Sequence, residues 1–190
     1  MSDKDDDISG EEIALPFERL SRLMRSAEHD EGLNPAQWEA LRYLSRANRF
    51  SNSPGALTRY LGATKGTISQ TVMALERKGF VVKSTRDGEK RSVELKLTAK
   101  GEEVLKKDPW AKFAAAAEEL GGKTKRRLAK GLGELLDGEL KRGRHLSFGQ
   151  CASCRFFREK GEDNGHFCML LETPLTADDS RRICVEHVTA

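Results

Sequence analysis

The chain has 190 residues, a third of them charged, and a formal net charge of +3, enough to bury a real core in one domain plus an appendage. No run approaches the roughly 18 apolar residues of a membrane span, and the first twelve residues carry six acids and one lysine, unlike a secretory signal. These features predict a soluble cytoplasmic protein with no membrane partner, whose four cysteines stay reduced and favour a metal ion over two disulfides.

The charge is unevenly divided. Residues 1–12 sum to −5, residues 58–107 hold twelve basic against six acidic side chains, and residues 148–190 sum to −2. A basic centre of this kind is the expected footprint of a polyanion, although a solvated helical face would also supply it.

In chain order, residues 1–10 predict a disordered acidic start. Phe17, Leu20 and Met24 then recur at i, i+3 and i+7, with Leu23 beside them, and Pro16 suits a first-turn position of that helix. In "NPAQW", Asn34 can cap and Pro35 can take the first helical position, while Trp38, Leu41 and Leu44 repeat at three-residue spacing. "RFSNSPG" breaks that helix, and a short one follows from Pro54 to Leu61, stopped by Gly62.

Thr64 caps the next predicted helix, which runs to Lys78. Ile68, Val72 and Leu75 give it one apolar face, and Gly79 ends it in the left-handed conformation. Opposite lie Gly66, Gln70, Met73 and Arg77, flanked by Lys65, Thr67 and Ser69. Gln and Ser can reach base edges in a major groove, while the helix end and Lys65 meet phosphate. An ordinary amphipathic helix would look the same, so the neighbouring segment decides.

That segment is "FVVKSTRDGEKRSVELKLT". Val81, Lys83 and Thr85 form one face of a strand, and Val93, Leu95 and Leu97 form the buried face of a second. Asp87-Gly88 supplies the turn, and Arg86, Lys90 and Arg91 sit at the tip. A short helix, a polar-faced helix and a basic hairpin in this order predict a winged helix-turn-helix: a mainly α fold with a small β-hairpin wing (α+β), its hairpin setting cations against the DNA backbone or into the minor groove.

The stretches "LNPAQWEALRYLSRA", "ALTRYLGATKGTISQTVMALERKGFV" and "DGEKRSVELKLTAKGEEVL" resemble, in order and spacing, the MarR family of transcriptional regulators over roughly residues 12–142. The resemblance implies that Thr64–Lys78 is the recognition helix and Lys83–Leu97 the wing. The family's wing carries an Asp two residues before the arginine matching Arg91, where this chain has Glu89. Its members act as dimers and often respond to small phenolic or oxidising compounds, which implies a small-molecule or redox effector.

A helix starting near Thr124 carries Leu128, Leu132, Leu135, Leu136 and Leu140 on one side. With the Phe17, Leu20 and Met24 face it predicts a homodimer, and two-fold symmetry predicts a palindromic operator on double-stranded DNA. Gly131, Gly133 and Gly138 weaken this helix, so packing must hold it. Residues 11–146 thus read as the winged domain with its dimerisation helices, and 147–190 as a small cysteine-rich tail.

Cys151, Cys154, Cys168 and Cys184 follow a C-x2-C-x13-C-x15-C spacing. Four thiolates suit zinc and equally suit an iron–sulfur cluster. His187 opens a rival ligand set with Cys151, Cys154 and Cys184, and His166 is a more remote one. Phe156, Phe157, Phe167, Leu170 and Leu171 are expected to jacket the sulfurs or to pack the tail on the last helix. A thioredoxin-like role for the CxxC lacks its preceding strand, and no phosphate-binding loop, zinc-protease motif or serine elbow appears. The chain therefore reads as a non-enzymatic, DNA-binding regulator, a likely-repressor class in which the tail braces or senses. The competing class is a module that binds protein through its metal tail.

Overall fold

A computed structural model describes residues 8–28, 30–85, 93–143, 148–159 and 165–189. Helix α1 (Gly10–Ala27) opens with a capping box, in which the Ser9 hydroxyl accepts the Glu12 N–H and the Glu12 carboxylate accepts the Ser9 N–H. This cap corrects two expectations: the helix already begins at Gly10, and Pro16 lies in its interior, not its first turn. Pro16 removes one backbone hydrogen bond on a fully exposed stretch, where water can take the freed carbonyl.

Helix α2 (Pro35–Arg46) has the expected Asn34 cap and Pro35 at its start. The helix-turn-helix is α3 (Pro54–Leu61) and α4 (Lys65–Arg77), separated by Gly62 in the left-handed conformation and the Thr64 cap. Gly79, at φ +74°, turns the chain out of α4 into the wing, as the sequence requires. Strands β1 (Val81–Thr85) and β2 (Val93–Leu97) pair antiparallel, from Val81 opposite Leu97 to Thr85 opposite Val93. Only their base is in the core: Val81 and Leu95 are buried, whereas Val93, expected inside, is exposed. The hairpin projects beyond Leu95, so its outer residues have nothing to pack on.

Two short helices without an expectation from periodicity follow, α5 (Ala99–Leu105) capped by Thr98 and α6 (Pro109–Glu118) capped by Asp108. Helix α7 (Gly122–Arg142) is long and buries no residue within this chain. Trp38, Leu41, Tyr43, Leu57, Leu75 and Leu95 form the centre of the main core, all at 1% exposure or less.

The remaining elements are β3 (Gly149–Gln150), a 3₁₀ turn over Cys151–Ser153, β4 (Phe157–Arg158), β5 (His166–Cys168), β6 (Thr173–Leu175), α8 (Ala177–Arg181) and β7 (Ile183–Cys184). β3 pairs antiparallel with β7, and β4, β5 and β6 form a second small sheet. This tail sits on the α2–α3 connection. Ala47 bridges Ile183, the Asn48 N–H bonds the Ile183 carbonyl at 2.9 Å, and Val185 belongs to the main core. Phe148 meets Tyr43 and Tyr60 edge to face.

Candidate nucleic-acid interface and cysteine cluster

Helix α4 divides cleanly into two faces. Ile68, Val72 and Leu75 are buried against α2 and α3, which fixes the helix by its apolar side. Lys65, Gly66, Thr67, Ser69, Gln70, Met73 and Arg77 are all exposed on the rest of its surface. Thr67 is partly engaged, since its N–H and hydroxyl both meet the Thr64 hydroxyl, at 3.1 and 2.9 Å. Ser69 faces the Met73 sulfur at 4.0 Å. Lys83, where the wing leaves the body, pairs with Glu76 at 2.9 Å and so ties β1 to α4. Arg86, Lys90 and Arg91, with Asp87, Gly88 and Glu89, lie outside the described residues.

The expected dimerisation residues carry open apolar surface. Phe17 is 61% exposed and Leu136 59%, and Leu20, Leu128, Leu132 and Leu135 are exposed as well, with Met24 and Leu140 half-buried. Within the chain, α1 packs on α6. The linkage to the winged core is polar: Arg42 of α2 bonds both Glu28, which follows α1, and Asp108, which caps α6, and the Trp110 indole N–H donates to the same Glu28 oxygen.

In the tail, Cys151 and Cys184 are buried together with Leu175, and Phe50, Phe157 and Cys168 pack on them. The Cys151 thiol hydrogen-bonds the Cys184 sulfur, which lowers the Cys184 pKa and raises that of Cys151, so the pair keeps one proton on Cys151. Asn48 Nδ2 lies 3.3 Å from the Cys151 sulfur, and the Cys184 sulfur also accepts from the Glu186 backbone N–H, Asn48 and Ser51. Cys154, on the same turn as Cys151, accepts the Val188 N–H at 3.5 Å. Among the described residues, no three or more His, Cys, Asp or Glu side chains are gathered as a metal-ligand set.

His187 is held elsewhere. Its Nε2 lies 3.1 Å from the Ser153 hydroxyl, and its ring occupies the space above Gly149, where a Cβ would meet it at 2.6 Å. Burial lowers its pKa. His166 stacks against Phe157 at 4.9 Å. The expected jacket is corrected in part: Leu170 and Leu171 are exposed, because the turn between β5 and β6, with Glu172 at φ +49°, carries them outward. Phe157 keeps that role beside Leu175 and Phe50.

Sequence reasoning missed Asn48, Phe50 and Ser51, which it had passed over as part of a helix-breaking loop. Polar loop residues ordinarily face water, and no local signal marks these two as fully buried, at 0% exposure.

A cleft of about 440 Å³ lies between α3, α7 and the tail, lined by Arg59, Tyr60, Leu136, Leu140, Phe148 and Ile183. No helix among the described residues is long and apolar enough to cross a membrane.

Comparison with known proteins meets this geometry in the same segment. Residues 31–92, from before α2 through α3, α4 and β1, match the MarR family model. The HTH-type transcriptional repressor YetL of Bacillus subtilis (strain 168) is 26% identical over 122 residues, 63% of this chain and 73% of its own. Among solved structures, a MarR transcriptional regulator from Methanosarcina mazei Go1 superposes with a TM-score of 0.56 at 21% identity, covering 69% of this chain and 98% of its own. The S. aureus MepR–DNA complex gives 0.54 at 16%, covering 70% and 99%. By fold, and by sequence over residues 31–92, this chain is a winged helix-turn-helix protein of the MarR type.

Proposed function

We propose that the chain is a sequence-specific DNA-binding transcriptional regulator, a repressor, working as a homodimer on a palindromic operator. The observation that carries this reading is the two-faced α4: one side is locked into the core, and the other presents Lys65, Ser69, Gln70 and Arg77 to solvent beside the wing. Gln70 and Ser69 would read base edges; Lys65 and Arg77, with Arg86, Lys90 and Arg91 of the wing, would meet phosphate. The exposed leucines of α7 and the Phe17, Leu20 face of α1 would be covered by a second copy. YetL is named a transcriptional repressor, which supports the sign of regulation. The cleft beside Tyr60 and Phe148 has room for a small effector.

The test is a salt series of binding to genomic DNA fragments by fluorescence anisotropy. A steep linear fall of log K with log salt is expected, because neutralised phosphates release counterions. Absence of binding at low salt would favour the protein-interaction reading.

The same proposal gives the tail a metal ion on Cys151, Cys154, Cys168 and Cys184, zinc first and an iron–sulfur cluster second. Three of the four cysteines share one small apolar cluster, and the fourth is three residues from Cys151. Backbone and side-chain donors already point at the sulfurs, as charged thiolates require. No ligating set is gathered among the described side chains, so the sulfurs must move together on binding. Bound there, the ion would supply a crosslink for a segment with little core of its own. Metal analysis and an absorption spectrum after anaerobic purification decide it: one equivalent of zinc without colour, or brown for iron–sulfur. A metal-free protein, or full occupancy in Cys154→Ser, refutes the four-cysteine site.

A further inference from the structure

The α2–α3 connection is buried by polar contacts. Asn48 and Ser51 are both 0% exposed, a rare state for loop residues of these types. Their polar groups are nearly all used against the tail or within the connection. The Asn48 N–H bonds the Ile183 carbonyl, its Oδ1 accepts the Phe50 N–H at 3.1 Å, and its Nδ2 faces the Cys151 sulfur at 3.3 Å. The Ser51 hydroxyl accepts the Val185 N–H at 2.8 Å, which turns its own proton toward the Cys184 sulfur, and the Ser51 carbonyl accepts the Tyr43 hydroxyl at 2.7 Å.

Counting donors at Cys184 shows the consequence. Its sulfur faces the Cys151 thiol, the Glu186 N–H, Asn48 and Ser51. A neutral thiol is a weak acceptor and gives little in return for ordering four donors, whereas a charged thiolate rewards each of them. Two of those donors come from the segment that leads into the helix-turn-helix and not from the tail.

We propose that Asn48 and Ser51 are outer positioning residues of the cysteine centre, stabilising ligand sulfur charge from the DNA-binding side; this rests on the thiolate-held ion proposed above. The winged domain thereby completes the centre, and binding of the ion presses the tail onto the start of α3. Removing an outer donor of this kind typically costs 10–100-fold in metal affinity.

The experiment uses the full chain, stripped and reloaded with zinc, in competition with a chromophoric chelator, and with cobalt as a spectroscopic probe. Asn48→Asp keeps the shape but replaces the donor with an acceptor, and Ser51→Ala removes the hydroxyl. Each is expected to weaken zinc at least about tenfold and to shift the sulfur-to-cobalt charge-transfer band. Two such variants guard against one failing to fold. Arg59→Ala is the control: it breaks the Arg59–Glu186 pair, 3.2 Å long, that docks the tail without donating to a sulfur. It should leave zinc affinity within about twofold and the band in place. The proposal is overturned if Asn48→Asp and Ser51→Ala hold zinc like the parent with an unmoved band, or if Arg59→Ala loses as much. A parent chain that takes up neither zinc nor cobalt fails the earlier metal reading itself, and this role with it.

Discussion

Arg42 Nη2 donates to the Glu28 carboxylate at 2.5 Å, and only 2% of the Glu28 side chain is exposed. Asp108 takes the other guanidinium nitrogen at 3.0 Å, so one arginine ties α1, α2 and α6 together. Removing one partner of such a cluster strands a buried charge. Arg42→Ala should therefore cost about 3–5 kcal/mol, read as a lowered midpoint in thermal unfolding by circular dichroism. Arg42→Met combined with Glu28→Leu should recover much of that loss, because it deletes the charge together with its partner.

On α4, position decides the kind of effect. Lys65→Ala should weaken DNA binding about equally for all sequences and lower the salt slope by roughly one unit. Gln70→Ala should instead cost about 1–3 kcal/mol on the preferred site and relax selectivity at one base pair. Anisotropy on matched and mismatched duplexes separates the two, and equal uniform losses would misplace the reading face.

The α7 stripe predicts assembly. Leu132 is 39% exposed and Leu135 52%, so Leu132→Glu with Leu135→Glu should leave the winged core intact while shifting sedimentation to the monomer mass. Operator affinity should fall by orders of magnitude with the loss of the second half-site. A double variant that remains dimeric would place the interface elsewhere.

Gly149 is required by contact, since a Cβ there would stand 2.6 Å from the His187 ring. Gly149→Ala should force the ring off Ser153 and cost about 1–3 kcal/mol as overpacking. The measurement is the denaturation midpoint, with His187 ring resonances reporting the displacement.

Much of this was legible because caps and turns are local chemistry. Asn34, Ser53 and Thr64 each cap the helix that their sequence context promised, and Gly62 and Gly79 take left-handed conformations where helices stop. Periodicity found the buried side of α4 for the same reason: helical spacing alone puts Ile68, Val72 and Leu75 together. It failed where the answer depended on distant chain. Val93 obeys strand alternation, yet it lies beyond the reach of the core, and Pro16 mimics a helix start that the Ser9–Glu12 box had already made. The thiol-facing roles of Asn48 and Ser51 were hidden because their partners lie more than a hundred residues away. Cysteine spacing told which residues belong together, but not that a loop of the winged domain would help to wall them in.

The tail shares the main core through Val185 and contacts it through Phe148 and Ile183. Stripping a bound ion with chelator should therefore lower the midpoint of the whole winged domain in one cooperative transition. Two separate transitions by calorimetry would show that the tail melts alone.

The hydrogen bond from Val185 to Ser51 spans 134 positions of the chain. At synthesis speeds of about 5–20 residues per second, Ser51 waits roughly 7–27 s on the ribosome for that partner. During this interval the nascent reader has its helices but lacks a piece of its own interior, and Asn48 and Ser51 stand in water. Only translation of the final strand can close the gap, so a ribosome stalled late yields a regulator that is nearly full length and still unfinished at its centre.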